Sequence, residues 1–325
     1  MAQGELGVLA SMAEKSPALA KDIFQEYMNP YGEMFGVGLN SGWYNTSKVH
    51  STLGFDVTVT ASWVTAPKSA STFDIQSIVD KYPGFSTSQS TSPTIIGDKS
   101  NIPTVGWNAG TTASPNIVGV KLPEGLDFRH LPLPMFKVGL GLPKNFEIMG
   151  RFSPQVKLAD FKVGMWGLGA RWQFSEVIPV IKRVPFLAMT VMGAYTSVNS
   201  TYGIDFSGAD GVGFNDQEIK LDAGAFTGRL LVGANFPFIN LYVGAGYGTA
   251  TTKAMLNGTY PVAFNTAGDL VSTKTVKDPF DLKFDNSGID FNAGLRVKMA
   301  IVTIHVDYTV GKYNVLSGGL GFSFR

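Results

Sequence analysis

Three short runs near the C-terminal end constrain this chain more than any other feature. In the first, Ile289, Phe291, Ala293, Leu295, Val297 and Met299 alternate with Asp290, Asn292, Gly294, Arg296 and Lys298. In the second, Val302, Ile304, Val306, Tyr308 and Val310 alternate with Thr303, His305, Asp307 and Thr309. In the third, Leu316, Leu320, Phe322 and Phe324 alternate with Ser317, Gly319, Gly321 and Ser323. A strand sends successive side chains to opposite faces, so each run has one apolar and one polar face. Each is about ten residues long, the length at which a tilted strand crosses a bilayer. A soluble sandwich would turn a face rich in Lys and Glu to water. These polar faces hold glycines and small residues instead, which suits the crowded interior of a narrow barrel. The runs predict an all-β fold, an antiparallel transmembrane β-barrel.

Charged residues make up 16% of the chain, against about a quarter in an ordinary soluble domain. The mean hydropathy of +0.11 is nevertheless too low for a bundle of membrane helices. The longest uncharged stretch, Leu230 to Thr252, contains Asn235, Pro237 and Asn240 and alternates, so it is a hairpin rather than a spanning helix. Cysteine is absent, which excludes a disulfide framework and thiolate metal sites. A net charge of +1 supplies no basic stripe for nucleic acid. The start, Met1-Ala2-Gln3-Gly4-Glu5, lacks the basic and apolar regions of a signal peptide. Since a barrel must be exported, the signal is expected to have been removed ahead of Met1.

Two regions are expected: a plug or hatch segment over 1–50 and the barrel over 51–325. Ser16 caps a helix with Pro17 in its first position, Leu19, Ile23, Phe24, Tyr27 and Met28 share one face, and Asn29-Pro30 stops it. The glycine-rich run Gly36 to Tyr44 is expected to be extended chain leading to the first strand, Leu53 to Val64. Long Ser/Thr/Gly/Pro-rich and polar stretches near 66–130 and 253–286 are expected as extracellular loops. A helical turn is expected at Asp74 to Lys81, and extra strands around Thr104 to Val120. Phase changes at Met165/Trp166 and Ala225/Phe226 predict bulges. About ten strands result, or twelve to fourteen if the long loop contributes. Short turns at Pro143, Pro237 and Ala300 fall on one side, which places both termini in the periplasm of a bacterial outer membrane.

Several stretches carry a family resemblance: Leu131-Pro132-Leu133-Pro134-Met135, Gly139 to Lys144, Ile178-Pro179 with Pro185-Phe186, and His305 to Thr309 through Gly321 to Arg325. In these the chain resembles an uncharacterised family of outer-membrane barrels of Bacteroidota-type bacteria. The aromatic-rich last strand also resembles the assembly signal of such barrels, with Arg325 where a terminal Phe is commoner. More distantly, the helix followed by Asn29-Pro30-Tyr31-Gly32 is similar to the long-chain fatty acid transporter barrels. That likeness implies an N-terminal helical hatch.

Alternation assigns Asp56, Arg151, Arg171, Arg229, Asp290, Arg296, His305 and Asp307 to the lumen, together with Lys137, Glu147, Lys162 and Lys298. Both signs occur, so these groups either neutralise one another or line a solute path. Phe24, Tyr27, Trp43 and Tyr44 are the plug candidates. No nucleophile elbow, phosphate loop or metal-ligand spacing occurs among His50, His130 and His305. His305 and Asp307 share one face, an arrangement more often a structural hydrogen-bonded pair than hydrolytic chemistry. No cofactor and no catalytic residue is expected. Two functions are. One is passive uptake of a small hydrophobic or amphipathic molecule past the hatch. The other is a non-transporting accessory barrel with outer-membrane protein partners. Either would sit among outer-membrane lipid and lipopolysaccharide.

Overall fold

The computed structural model describes residues 12–13, 15–108, 117–158, 161–203, 218–261, 275–278 and 280–324. Ten antiparallel strands close into a barrel. They are β1 (Phe55–Thr65), β2 (His130–Leu142), β3 (Phe146–Leu158), β4 (Phe161–Gln173), β5 (Leu187–Gly203), β6 (Glu218–Asn235), β7 (Ile239–Asn257), β8 (Phe280–Met299), β9 (Val302–Val310) and β10 (Asn314–Phe324). Sequential strands are neighbours, and β1 closes the ring against β10 from Phe55↔Phe324 to Thr65↔Asn314. The strands near Thr104 exist, but Thr104–Asn108 lies between Phe85–Thr87 and Ile117–Lys121 in a separate small three-stranded sheet. The expected helical turn is Gln76–Val79.

The outer wall carries a continuous band of exposed apolar side chains, among them Val59, Trp63, Phe136, Leu168, Leu230, Val243, Ile289, Ile304 and Leu320. Water would not tolerate an apolar surface of this extent; a bilayer requires one. At the short-turn end, aromatic pairs stack across neighbouring strands: Phe55 on Phe324 at 5.3 Å, Phe146 on Trp172 at 5.8 Å and Phe186 on Phe236 at 5.7 Å. They form the aromatic girdle that such barrels place at an interface.

The N-terminal helix departs from expectation in length and place. Ser16 caps it, its Oγ accepting from the Leu19 N–H at 3.3 Å, and Pro17 is its first residue. It does not stop at Asn29-Pro30, however. Helix α1 runs from Pro17 to Asn40 with Pro30 inside it. An interior proline removes one helical bond and normally breaks a helix. Here Pro30 is buried against its surroundings, and packing there outweighs that loss. The glycines expected to form extended chain are contact points. A Cβ at Gly32 would strike the Phe284 ring and one at Gly38 the Leu133 side chain, while one at Gly36 would sit 2.5 Å from the Ala250 Cβ. The wall opposite is equally small: Gly248, Ala250, Thr252, Ala223 and Ala225 face inward. A helix about 10 Å across fits only because both partners give up side-chain volume. Gly36→Leu is therefore expected to lower unfolding free energy by about 1–3 kcal/mol through overpacking, read as a shift of the urea midpoint in detergent.

Three further corrections follow. The phase changes in β4 and β6 are not bulges, since β4–β5 and β6 with both its neighbours pair without a register break. Met165, Ala223 and Ala225 point inward because the lumen is apolar where it meets α1. The register shift lies in β3 instead, between Ser153 and Val156. The connection expected over 253–286 is shorter, because β7 continues to Asn257 and β8 begins at Phe280. Finally, the start of α1 and the end of β10 do not share a side. Asp22 accepts from the Tyr82 hydroxyl at 2.7 Å and Phe24 packs on Phe280 at 5.0 Å, at the long-loop end. Phe324 lies at the short-turn end beside Phe55.

Candidate functional site

From α1 the chain runs through the whole lumen and reverses into β1, so residues 17–54 form a thread inside the ring. Its outer section is apolar. Leu39 and Phe35 meet Leu133, Met135, Met165 and Val198. The first turns of α1 rise into the long connections, where the Tyr27 hydroxyl donates to Glu124 O at 2.8 Å and Ile95 N–H donates to Tyr27 O at 3.0 Å. Phe24 and Tyr27 thus tie the first half of α1 to the long-loop end of the barrel. Glu33 accepts from the Tyr313 hydroxyl at 2.7 Å and pairs with Lys312 at 2.6 Å, pinning α1 to the β9–β10 turn. Burial, then the bond to Glu33, pushes the Tyr313 hydroxyl well above its ordinary range.

The middle section is built on Trp43 and Tyr44, the plug candidates that do lie in the lumen. The Arg151 guanidinium sits 3.9 Å over the Trp43 ring and donates to Leu39 O at 2.9 Å and to Ser41 O. These are carbonyls at the C-terminal end of α1, where a cation is favoured by the helix dipole. Tyr44 packs edge-on to Tyr242 at 5.7 Å. Arg229 donates to Tyr44 Oη at 3.3 Å and forks onto Asp290 at 2.5 and 2.8 Å. Tyr242 donates to Asp307 at 3.4 Å.

The floor, at the short-turn end, is a charged cluster. Glu147, fully buried, accepts from Arg171 at 2.6 Å, from the His50 N–H at 3.0 Å, and shares a bond with His50 Nδ1 at 2.9 Å. His50 Nε2 reaches Ser323 Oγ at 3.1 Å. Asp56 pairs with Lys137 at 3.4 Å and accepts from Thr58 at 2.6 Å. His305 bonds Thr60 at 3.2 Å rather than Asp307, which corrects the expected pair. Arg296 is 4% exposed and has no ion-pair partner among the described residues. The Lys162 side chain lies outside the described residues.

The ligand atoms of His50, Asp56 and Glu147 lie within 4.8 Å of one another, a geometry that invites a metal reading. The local charge argues against it. Lys137 and Arg171 already neutralise the two carboxylates, and both ring nitrogens of His50 are engaged. The cluster is an ion-paired stopper. Spacing in sequence could not reveal it, since His50 is 97 residues from Glu147. Only the thread brings them together.

Space beside the hatch is small. A crevice of about 40 Å³ lies between Val37, Asn40 and Ser41 of the thread and Gly288, Asp290 and Tyr313 of the wall. That accommodates on the order of three waters. The wall itself is less complete. β2 and β3 pair only from Leu142↔Phe146 to Lys137↔Arg151. Beyond that level β2 still pairs with β1 as far as His130, and β3 pairs with β4 as far as Leu158. The reason is in the sequence. Pro132 and Pro134 have no N–H to offer a second neighbour, so this half of β2 behaves as an edge strand. A seam results, with Phe136 and Phe152 exposed at its base and Leu133 and Met135 behind it.

An exported ten-stranded barrel with an apolar belt, an aromatic girdle and a filled lumen is an outer-membrane β-barrel protein. The chain belongs to a family of unknown function, DUF6588, whose model matches residues 1–324. No curated protein matches it. Among solved structures it is similar to the translocator domain of the autotransporter NalP from Neisseria meningitidis, at 11% identity and a TM-score of 0.34, covering 93% of this chain and 99% of that one. It is also similar to Ail, the attachment invasion locus protein of Yersinia pestis, at 8% identity and a TM-score of 0.24, covering 84% and 98%. A third is the P. putida toluene transporter TodX, at 8% identity and a TM-score of 0.22, covering 84% and 90%.

Proposed function

We propose that this barrel admits a small hydrophobic or amphipathic molecule from the outer face and releases it sideways into the bilayer. The seam between β2 and β3 carries this reading. An aqueous route is blocked by the ion-paired floor, whereas the outer section behind the seam is lined by Leu133, Met135, Leu39 and Phe35. On the lipid side, an apolar groove of about 610 Å³ starts at the base of the seam, lined by Val138, Ile148, Gly150, Leu168 and Gly193. Added Cβ atoms at Gly150 and Gly193 would meet nothing, so the groove exists because side chains are missing there. Displacement of α1 is the gating step, because the crevice beside it is too small for such a solute. The molecule is apolar or carries one polar head, as the lining offers dispersion contacts and few hydrogen bonds.

The absence of native cysteine makes the test direct. Phe136→Cys with Phe152→Cys, joined by a short bis-maleimide, closes the seam. Uptake of pyrene by intact cells is expected to fall to the level of cells lacking the barrel, while either single variant stays active. Unchanged uptake in the tethered protein would sink the lateral route. A second reading, a non-transporting accessory barrel, is favoured by the closed floor. It predicts that no variant alters pyrene uptake at all.

A further inference from the structure

The thread is held in an unusual way. Its backbone between Leu39 and Leu53 forms no sheet with the wall. Wall side chains grip its main chain instead. Arg151 donates to Leu39 O and Ser41 O, Arg171 to Thr46 O at 2.7 Å, and Thr190 to Ser47 O at 2.5 Å. In the other direction, Val49 N–H donates to Gln173 at 3.1 Å and His50 N–H to Glu147 at 3.0 Å. Buried backbone groups must find partners, and here wall side chains supply several of them, alongside the contacts the wall makes with the side chains of Trp43, Tyr44 and His50. The thread runs from Asp22 and Phe24 among the long connections to Leu53, whose N–H donates to Gly141 O at 2.9 Å at the short-turn end. Outer-membrane barrels keep short turns in the periplasm and long loops outside.

From these observations we propose that the barrel carries its own N-terminal segment through its lumen and presents it on the cell surface. The start of α1, with Lys15 and Ser16 before it, then faces the exterior, while Phe324 faces the periplasm. An exported chain arrives on the periplasmic side, so the segment must enter the lumen before β1 closes against β10. The backbone-directed donors of Arg151 and Arg171 suit a wall that accepts a passing chain. In this role the protein is a surface anchor. Whatever is joined ahead of α1 is displayed, and the ion-paired floor is the lock that keeps it there. This inference rests on the membrane orientation and not on solute uptake.

Single cysteines test it in the full chain: Lys15→Cys ahead of α1, Lys99→Cys in the long connection and Lys144→Cys in the β2–β3 turn, all exposed positions. Intact cells are treated with a membrane-impermeant maleimide, and heat-modifiable gel mobility confirms that each variant is folded. The expected result is rapid labelling of Lys15→Cys and Lys99→Cys, with Lys144→Cys reacting only after the outer membrane is permeabilised. Labelling of Lys99→Cys without Lys15→Cys overturns surface presentation. Labelling of Lys144→Cys in intact cells overturns the orientation on which it stands. Because no solute has to cross, failure here leaves the pyrene experiment untouched, and the reverse also holds.

Discussion

Glu147→Leu is expected to cost about 3–5 kcal/mol of folding stability, the range for removing one partner of a buried ion pair. Glu147 is fully buried and answers three donors at once: the Arg171 guanidinium, the His50 ring and the His50 N–H. A leucine leaves all three without an acceptor. It also unbalances the floor, where Asp56 alone would face Lys137, Arg171 and Arg296. Urea unfolding in detergent, followed by tryptophan fluorescence, reads the loss. Trp43 sits in the thread and reports its release. The double variant Glu147→Leu with Arg171→Met is expected to recover most of the loss, because removing both charges together spares the lone buried cation. A loss below about 1 kcal/mol, typical of exposed pairs, would show that the floor does not hold the thread.

Removal of residues 1–42 is expected to convert a silent barrel into a conducting one. The intact lumen holds α1 and the chain to Leu53, and a crevice of about 40 Å³ lies beside them. Without α1, the inward positions along the outer half are Gly248, Ala250, Ala223 and Ala225, too small to refill the helix volume. Arg151 loses Leu39 O and Ser41 O as acceptors and the Trp43 ring loses the helix that positions it. The remaining chain from Trp43 to His50 then has no anchor above the floor. Planar-bilayer recordings distinguish the outcomes. Stable openings in the truncated protein and none in the intact one support the hatch. Silence in both means that the wall collapses inward or that the floor alone seals the barrel.

Much of this protein was legible in its residues. Alternation alone determined the antiparallel barrel and a count of about ten strands, with twelve to fourteen left open by the long loop. It did so because a strand has a period of two and each wall residue meets either lipid or lumen. Local rules also placed the Ser16 cap, whereas the seam beside Pro132 and Pro134 needs the pairing of β3 to be seen.

What failed had one common cause: the lumen was assumed to be polar along its length. The phase changes after Met165 and Ala225 then looked irregular, and the run from Gly36 to Tyr44 like extended chain. Local propensity likewise ended the helix at Pro30. A helix enclosed by the wall reverses each inference, since enclosure rewards small residues and offsets a missing hydrogen bond. The meeting of His50 with Glu147 and of Arg229 with Tyr44, and the opposite placement of Phe24 and Phe324, depend on the chain from α1 to Leu53 passing through the ring. Periodicity reports which face of a strand is buried, and says nothing about what buries it. The sequence by itself determined the wall; only the tertiary structure decided what fills it, because that contact is made between segments far apart in the chain.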